Sequence, residues 1–344
     1  MIETIKNFVL VNPSGKNQNI ADAITNMSFN HTLDGGMQLT VEVADYDRHY
    51  LLDNYFQLNQ EFTYGGRKYL LASVQISQGE GYYATARLEF RDKIFQQLKN
   101  DFKPEVYRSA NGFEFAQKIA KKYKLVFVGQ NVKGKQSTIK VKSKNNTESV
   151  WNVLQRSAND NQYLCFIADD RLFFGSPKFL LGRWGLDSVT YTDPATNTTK
   201  TIEYIPLVWP PQEDTQKQYG IFFPLGSISP APIGSAHAFP LMQMPDVRHS
   251  ADSKKQAEGS AVIWGDNARQ MKAGMTVMVY GMGEAFDLAY LVTSVDYIEA
   301  EPEPVKINFA TVSKLAPEDK AKVDEKVAET VVISGSGSSD SASE

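Results

Sequence analysis

Ser28-Phe29-Asn30-His31-Thr32-Leu33, then Asp34-Gly35-Gly36, then Gln38-Leu39-Thr40-Val41-Glu42-Val43, is the stretch on which the fold turns. Apolar and polar residues alternate in both runs, the mark of strands with one buried face, and the short glycine turn reads as a tight hairpin. Working outward, Phe62 to Tyr64, Tyr69 to Val74 and Tyr82 to Phe90 repeat the alternation, separated by Gly65-Gly66 and Gly79-Glu80-Gly81. Short strands bounded by glycine turns predict a sheet that curls into a small barrel. Only Asp47 to Asn54, with Tyr50, Leu51 and Leu52 on one side, and Lys93 to Lys99 read as helical. The first unit, residues 1–101, carries no residue pattern equipped for chemistry and reads as architecture.

From 102 to 178 the period changes and predicts a small α+β insert. Phe115, Ala116, Ile119, Ala120 and Tyr123 share one helical face, with Ser109 or Asn111 as candidate caps. Leu125 to Val128 and Ile139 with Val141 read as strands. A second helix is expected to start at Asn146 or Thr147 and to bury Val150, Trp151 and Leu154. Tyr163 to Ile167 and Arg171 to Phe174, joined by Ala168-Asp169-Asp170, read as a hairpin.

Residues 179–250 read as a connecting segment. Between Ile205 and Pro245 stand Pro206, Pro210, Pro211, Pro224, Pro230, Pro232, Pro240 and Pro245. Proline lacks an amide hydrogen, so little regular structure is expected there. The interspersed Phe222, Phe223, Leu225, Ile228, Phe239, Leu241 and Met242 argue against free disorder and suggest a segment lying over a neighbouring surface. A helix is expected over Ser250 to Val262. Strands at Met275 to Tyr280, Ala289 to Tyr297 and Val305 to Val312 follow, so that 251–314, with contributions from 186–205, is expected to echo the first unit, without a clear residue-level repeat. Residues 315–344, charged and then Ser/Gly-rich, read as a flexible tail.

The length of 344 residues asks for two or three domains. Hydrophobic content of 42% with 22% charged residues is that of a soluble globular protein, and no stretch approaches membrane-spanning length. The amino terminus lacks a signal peptide's apolar core. A net charge of −4 without large blocks does not indicate a general nucleic-acid grip. The lone Cys165 lies in an apolar run and reads as an inert buried thiol.

Motifs that suggest chemistry fail on context. Gly129-Gln130-Asn131-Val132-Lys133-Gly134-Lys135 follows a strand like a phosphate loop, but Gln136 stands where Ser or Thr would hold Mg²⁺, and strand pattern follows instead of a helix. Gly281-Met282-Gly283 reads as a hairpin turn. His31, His49, His237 and His249 show no metal-ligand spacing. Asp169-Asp170 reads as a turn rather than a catalytic or Ca²⁺ pair. Trp151 reads as a packing residue from its helical spacing; for Trp184 packing is the favoured reading, though its surroundings do not decide. No catalytic residue, cofactor or metal is assigned. Glu299, Glu301 and Glu303, alternating with Ala300, Pro302 and Pro304, read by default as a solvated loop and alternatively as a repulsive lining for a DNA passage.

With these segments assigned, the chain resembles the tail-hub family of phages and related contractile injection machines, which includes late control protein D and the hub part of VgrG. Three stretches carry the resemblance: Met27 to Val41; Ser109 to Val128 with Glu148 to Arg156, Cys165 to Ile167 and Arg171 to Gly175; and Met275 to Tyr280 with Tyr290 to Val295. It implies a mainly β (α+β) chain with two tail-tube-type β-barrels and an inserted small α+β domain. It further implies a homotrimer whose barrels form a ring, matching a sixfold tail tube to a threefold central spike and forming part of the DNA conduit. The implied partners are copies of itself, the tail tube protein, a separate spike protein and other baseplate proteins, with no specific DNA binding and no membrane. The implied place is the virion's tail tip or baseplate, after synthesis in the host cytoplasm. The alternatives are a tail-associated cell-wall-degrading enzyme and, for the insert, a peptidoglycan-binding module.

Overall fold

A computed structural model describes residues 7–64, 66–78, 83–102, 105–107, 111–131, 139–141, 148–193, 198–209, 218–223, 226–232, 239–248, 257–283, 286, 288–298 and 304–310. One compact unit is built from Met1–Gln97 and Leu180–Ala316, another from Leu98–Phe179.

The first unit begins with a hairpin of β1 (Val9–Val11) and β2 (Asn17–Asn19). Then come β3 (Ile24–Thr32), β4 (Gly36–Asp45), the short helix α1 (His49–Leu52), β5 (Glu61–Tyr64), β6 (Arg67–Gln78) and β7 (Ala84–Asp92). The strands lie in the order β3-β4-β7-β6-β5, each antiparallel to its neighbour. The expected β3–β4 hairpin is present, with Thr32 opposite Gly36. Gly36 has φ +66°, and a Cβ there would lie 3.0 Å from the Phe95 ring, so both backbone and space call for glycine.

Phe29 on β3 and Tyr64 on β5 stand at opposite ends of this run, yet their ring centroids are 5.7 Å apart. With strands about 4.8 Å apart, four flat steps would separate them by about 19 Å. The sheet therefore curls back on itself. Bulges between Ile24 and Asn26 and between Leu71 and Ser73 sharpen the bend. Met27, Leu39, Val41, Leu71, Leu88 and Phe90 fill the hollow. Phe8, just before β1, stacks on Phe62 at 4.0 Å and meets Phe90 edge-on at 5.7 Å, so the β1–β2 hairpin plugs the open side. Among the described residues no ladder joins β3 to β5.

The helix α2 (Lys93–Asn100) follows, started by the Asp92 carboxylate, which accepts from the Phe95 amide at 3.0 Å. The second unit contains β8 (Glu105–Tyr107), α3 (Gly112–Lys122), β9 (Val126–Gly129), β10 (Ile139–Val141), α4 (Val150–Asn159), β11 (Leu164–Ala168), β12 (Arg171–Gly175) and most of α5 (Pro177–Leu180). Asn111 caps α3 by accepting from the Glu114 amide at 2.8 Å. The helix α4 begins later than Asn146 or Thr147, because Ser149 is its cap, its hydroxyl accepting from the Asn152 amide. A three-stranded sheet in the order β11-β12-β9, with β9 parallel to β12, packs against the two helices. Phe115, Ile119, Val153, Leu154, Phe127 and Phe174 are buried between these layers. The Asp169-Asp170 turn is left-handed at both residues, with φ +47° and +58°, as a two-residue hairpin requires.

The remaining strands return to the first unit: β13 (Asp187–Asp193), β14 (Thr198–Val208), β15 (Gln218–Phe223), β16 (Gly226–Pro232), β17 (Phe239–Pro240), β18 (Asp246–Arg248), β19 (Glu258–Ile263), β20 (Thr276–Tyr280), β21 (Ala289–Ile298) and β22 (Val305–Ala310). Two expectations need correction here. Where a helix was read over Ser250 to Val262, the described part forms β19, held between β18 and β22. The proline-rich stretch also contains regular strands. Among the described residues the β15–β16 pair is a sheet of its own, and its prolines, Pro230 and Pro232, both lie on β16, an edge strand, where a missing amide hydrogen is tolerated.

The strand β21 ties the unit together. One side pairs along its middle with β22. On the other side its start pairs with β20, and its end, Ser294 to Ile298, pairs with β3. The change of partner coincides with a bulge between Val292 and Ser294, and the Thr293 carbonyl accepts from the Leu33 amide at 3.2 Å. The buried His31 reinforces this seam, its Nδ1 accepting from the Ala273 amide at 3.1 Å. One thirteen-stranded ladder results.

Candidate functional site

Residues that suggested chemistry from sequence fall into structural roles. Cys165 is buried, and burial pushes its thiol up, away from the reactive thiolate. His31 lies inside the seam, and His49 pairs with Asp53 within α1 and its flank at 3.3 Å; His237 and His249 lie outside the described residues. Gly129 ends β9 and Gln130 and Asn131 follow it; the Gln130 amide donates to Phe174 O and its side-chain oxygen accepts from the Ser176 amide, both at 2.9 Å. The rest of that glycine-lysine motif is outside the described residues. Trp151 and Trp184 are both buried, and the Trp184 carbonyl accepts from the Thr276 amide at 2.9 Å. Among the described residues no cluster of His, Cys, Asp and Glu could hold a metal ion, and no helix is long and apolar enough to cross a membrane.

The more informative surface is the outward face of the ladder. Alternation points Met27, Phe29, Leu39, Val41, Leu88, Phe90, Val295 and Ile307 inward. Their neighbours face the other way and line up across seven strands. One row runs Leu70, Arg91, Gln38, Asn30, Asp296, Lys306, Val262, from β6 through β7, β4, β3, β21 and β22 to β19. A second runs Ser73, Glu89, Thr40, Ser28 and Ile298. A third places Gln75, Arg87 and Glu42 opposite one another. At about 4.8 Å per strand the seven-strand row spans about 29 Å along the sheet.

Apart from Leu70, Val262 and Ile298 at the ends of the rows, this face is polar, and several of its charges stand opposite partners. Arg87 lies 3.8 Å from Glu42, the Asn30 amide donates to the Asp296 carboxylate, and Lys306 stands opposite Asp296. Asn308 donates to the Ser294 hydroxyl at 2.7 Å. Along these rows Arg87, Arg91 and Lys306 equal in number Glu42, Glu89 and Asp296, so their formal charges cancel. Such a surface offers no excess of cations to phosphates. From sequence, Glu299, Glu301 and Glu303 read by default as a solvated loop and alternatively as a repulsive lining for a DNA passage. They lie outside the described residues, on the connection from Ile298 at the end of β21 to Val305 at the start of β22. Sequence reasoning missed the pairs on the strands, although the alternation that identified the strands also marks them.

Searches of protein families and of curated proteins return no match. Among solved structures, the chain is similar to the 43 kDa tail protein of prophage MuSo2 from Shewanella oneidensis, with 12% identity, a TM-score of 0.49, and coverage of 89% of this chain and 98% of that one. It is also similar to a tail protein from Neisseria meningitidis MC58, with 11% identity, a TM-score of 0.48, and coverage of 89% and 97%. A third is the E. coli c3393 protein, a type VI secretion component described as structurally similar to T4 tail proteins gp27 and gp5, with 10% identity, a TM-score of 0.43, and coverage of 85% and 74%. These structures are of the kind that the sequence resemblance names.

Proposed function

We propose that the chain is a structural hub of a phage tail tip or baseplate, or of a phage-derived injection machine, acting as a non-enzymatic adaptor. In this reading three copies close into a ring that joins a sixfold tube to a threefold spike, with the polar face of the ladder lining a conduit. The observation that carries it is the charge-balanced polar face that continues through the β21–β3 seam across both halves of the sheet. DNA must pass a conduit wall without sticking, and each unpaired Lys or Arg would add a phosphate contact and drag. Copies of one chain ordinarily assemble with closed cyclic symmetry, and three copies each bringing two tube-like segments satisfy a sixfold neighbour.

The Glu299, Glu301 and Glu303 connection is assigned to the same proposed lining. Multi-angle light scattering of the protein co-expressed with its tube and spike partners tests the reading. A trimeric ring is the expected result; a strict monomer or dimer in the assembled particle overturns it.

A further inference from the structure

The excursion between β4 and β5, residues 46–60, holds three large apolar side chains in water: Tyr46 is 73% exposed, Leu52 69% and Leu58 61%. Flexibility does not explain this, because the excursion is tied down along its length. The buried Asp45 carboxylate accepts from the Leu51 amide at 2.9 Å and the Tyr50 amide at 3.3 Å, setting α1. The Gln57 and Gln60 side chains donate to the Val11 carbonyl at 3.5 and 2.8 Å, and Tyr46 packs 4.7 Å from Tyr83. Arg48, Asn54 and Asn59 hold left-handed backbone at φ +61°, +56° and +65°. For Arg48 that conformation is unfavourable, and the surrounding bonds maintain it.

The charge around these side chains has one dominant sign. Asp47 and Asp53 lie on the excursion, and Asp22 and Asp45 beside it, against Arg48 and His49, whose ring nitrogen lies 3.3 Å from the Asp53 carboxylate and carries charge only when protonated. The Tyr50 hydroxyl registers this field: its pKa is raised by burial first, then by Asp45, Asp47 and Asp22.

We infer that residues 46–60 are a docking knob for a partner protein whose apolar socket is ringed by Lys and Arg. Leu52, Leu58 and Tyr46 supply the apolar contact, and Asp47 with Asp53 supply the complementary charge. The acidic rim repels phosphate backbones and anionic headgroups, which sets protein apart from nucleic acid and anionic membrane. The inference does not depend on the chain being a tail hub.

The test uses the full chain and a fluorescent peptide of alternating Lys and Leu, with a Glu/Leu peptide and phosphatidylcholine vesicles as further arms. Expected is binding of the Lys/Leu peptide alone, weakened at higher salt, with at least tenfold loss in Asp47→Lys/Asp53→Lys and in Leu52→Ser/Leu58→Ser. A charge reversal elsewhere, Asp246→Lys/Glu258→Lys, should keep wild-type affinity, and melting curves confirm that each variant is folded. The inference is overturned if the peptide does not bind, if the control reversal weakens binding as much as the knob variants, or if the knob variants bind like wild type. Leucine-dependent binding to the vesicles would replace the protein socket with a lipid surface.

Discussion

Replacing Phe29 tests how the two halves of the ladder are held together. Its ring stacks on Tyr297, directly opposite across the β3–β21 seam, at 5.0 Å and 16°, and also meets Tyr64 at 5.7 Å and Tyr69 at 6.3 Å. Truncation to alanine should cost about 3–5 kcal/mol through lost burial and the cavity left behind. Phe29→Leu retains most of the apolar area and removes the ring contacts. A double-mutant cycle with Tyr297→Leu should therefore give a coupling of about 0.5–1.5 kcal/mol, the range for an aromatic pair. Urea unfolding followed by tryptophan fluorescence is the assay. A Trp151→Phe background leaves Trp184, Trp209 and Trp264 reporting on the first unit, because Trp151 lies in the second. If the two leucine substitutions add to within about 0.3 kcal/mol, the rings across the seam are neighbours without mutual stabilisation, and the argument that side-chain pairs hold it fails.

Cys165 should resist a thiol reagent in the native protein and become labelled only when the second unit opens, since burial keeps the thiol protonated and covered; labelling at the rate of a free peptide thiol would refute this. Burial raises the Tyr163 hydroxyl to about 12. Its folded pKa thus lies above the unfolded value near 10, so the associated stability is present below about pH 10 and is lost as pH rises toward 12. Alkaline melts should show that decline, and Tyr163→Phe should flatten it. Gly185→Ala places a Cβ 2.2 Å from the Tyr204 amide nitrogen and 2.6 Å from its Cα, both backbone atoms of β14. It should destabilise the first unit by about 3 kcal/mol or more, seen as a fall in Tm or loss of soluble protein; a wild-type Tm would contradict the close approach.

Local pattern carried much of the fold. The β3–β4 hairpin, the polar cap before α3 and the Asp169-Asp170 turn each depend on residues close in sequence, so alternation, capping and turn chemistry suffice to place them. The errors lie where distant partners decide. Ala257, Ala261 and the charged residues before them favour a helix, yet β18 and β22 draw Glu258–Ile263 into a ladder. Proline counting failed for β16 because it ignores that an edge strand tolerates Pro230 and Pro232, and for β15 because that strand contains no proline. At the candidate site, alternation marks Thr40, Glu42, Arg87 and Asn30 as outward facing. Opposition of Glu42 to Arg87 and of Asn30 to Asp296 is a matter of register between strands, and register is not written in any one of them.

The late pairing of β3 has a consequence for how the molecule is made. Asn30 and its seam partner Asp296 are 266 positions apart, so β3 leaves the ribosome long before β21 exists. At about 5–20 residues per second the delay is roughly 13–50 s, far longer than local folding needs. Through that interval β4 can shield one edge of β3 while the other stays open, an invitation to any passing strand. The second unit, most of which is one continuous stretch, Leu98–Phe179, can fold while the nascent chain waits. Chains interrupted before Ala289 should therefore be the aggregating species in expression, and slowing synthesis ahead of β21 should worsen the yield of soluble protein.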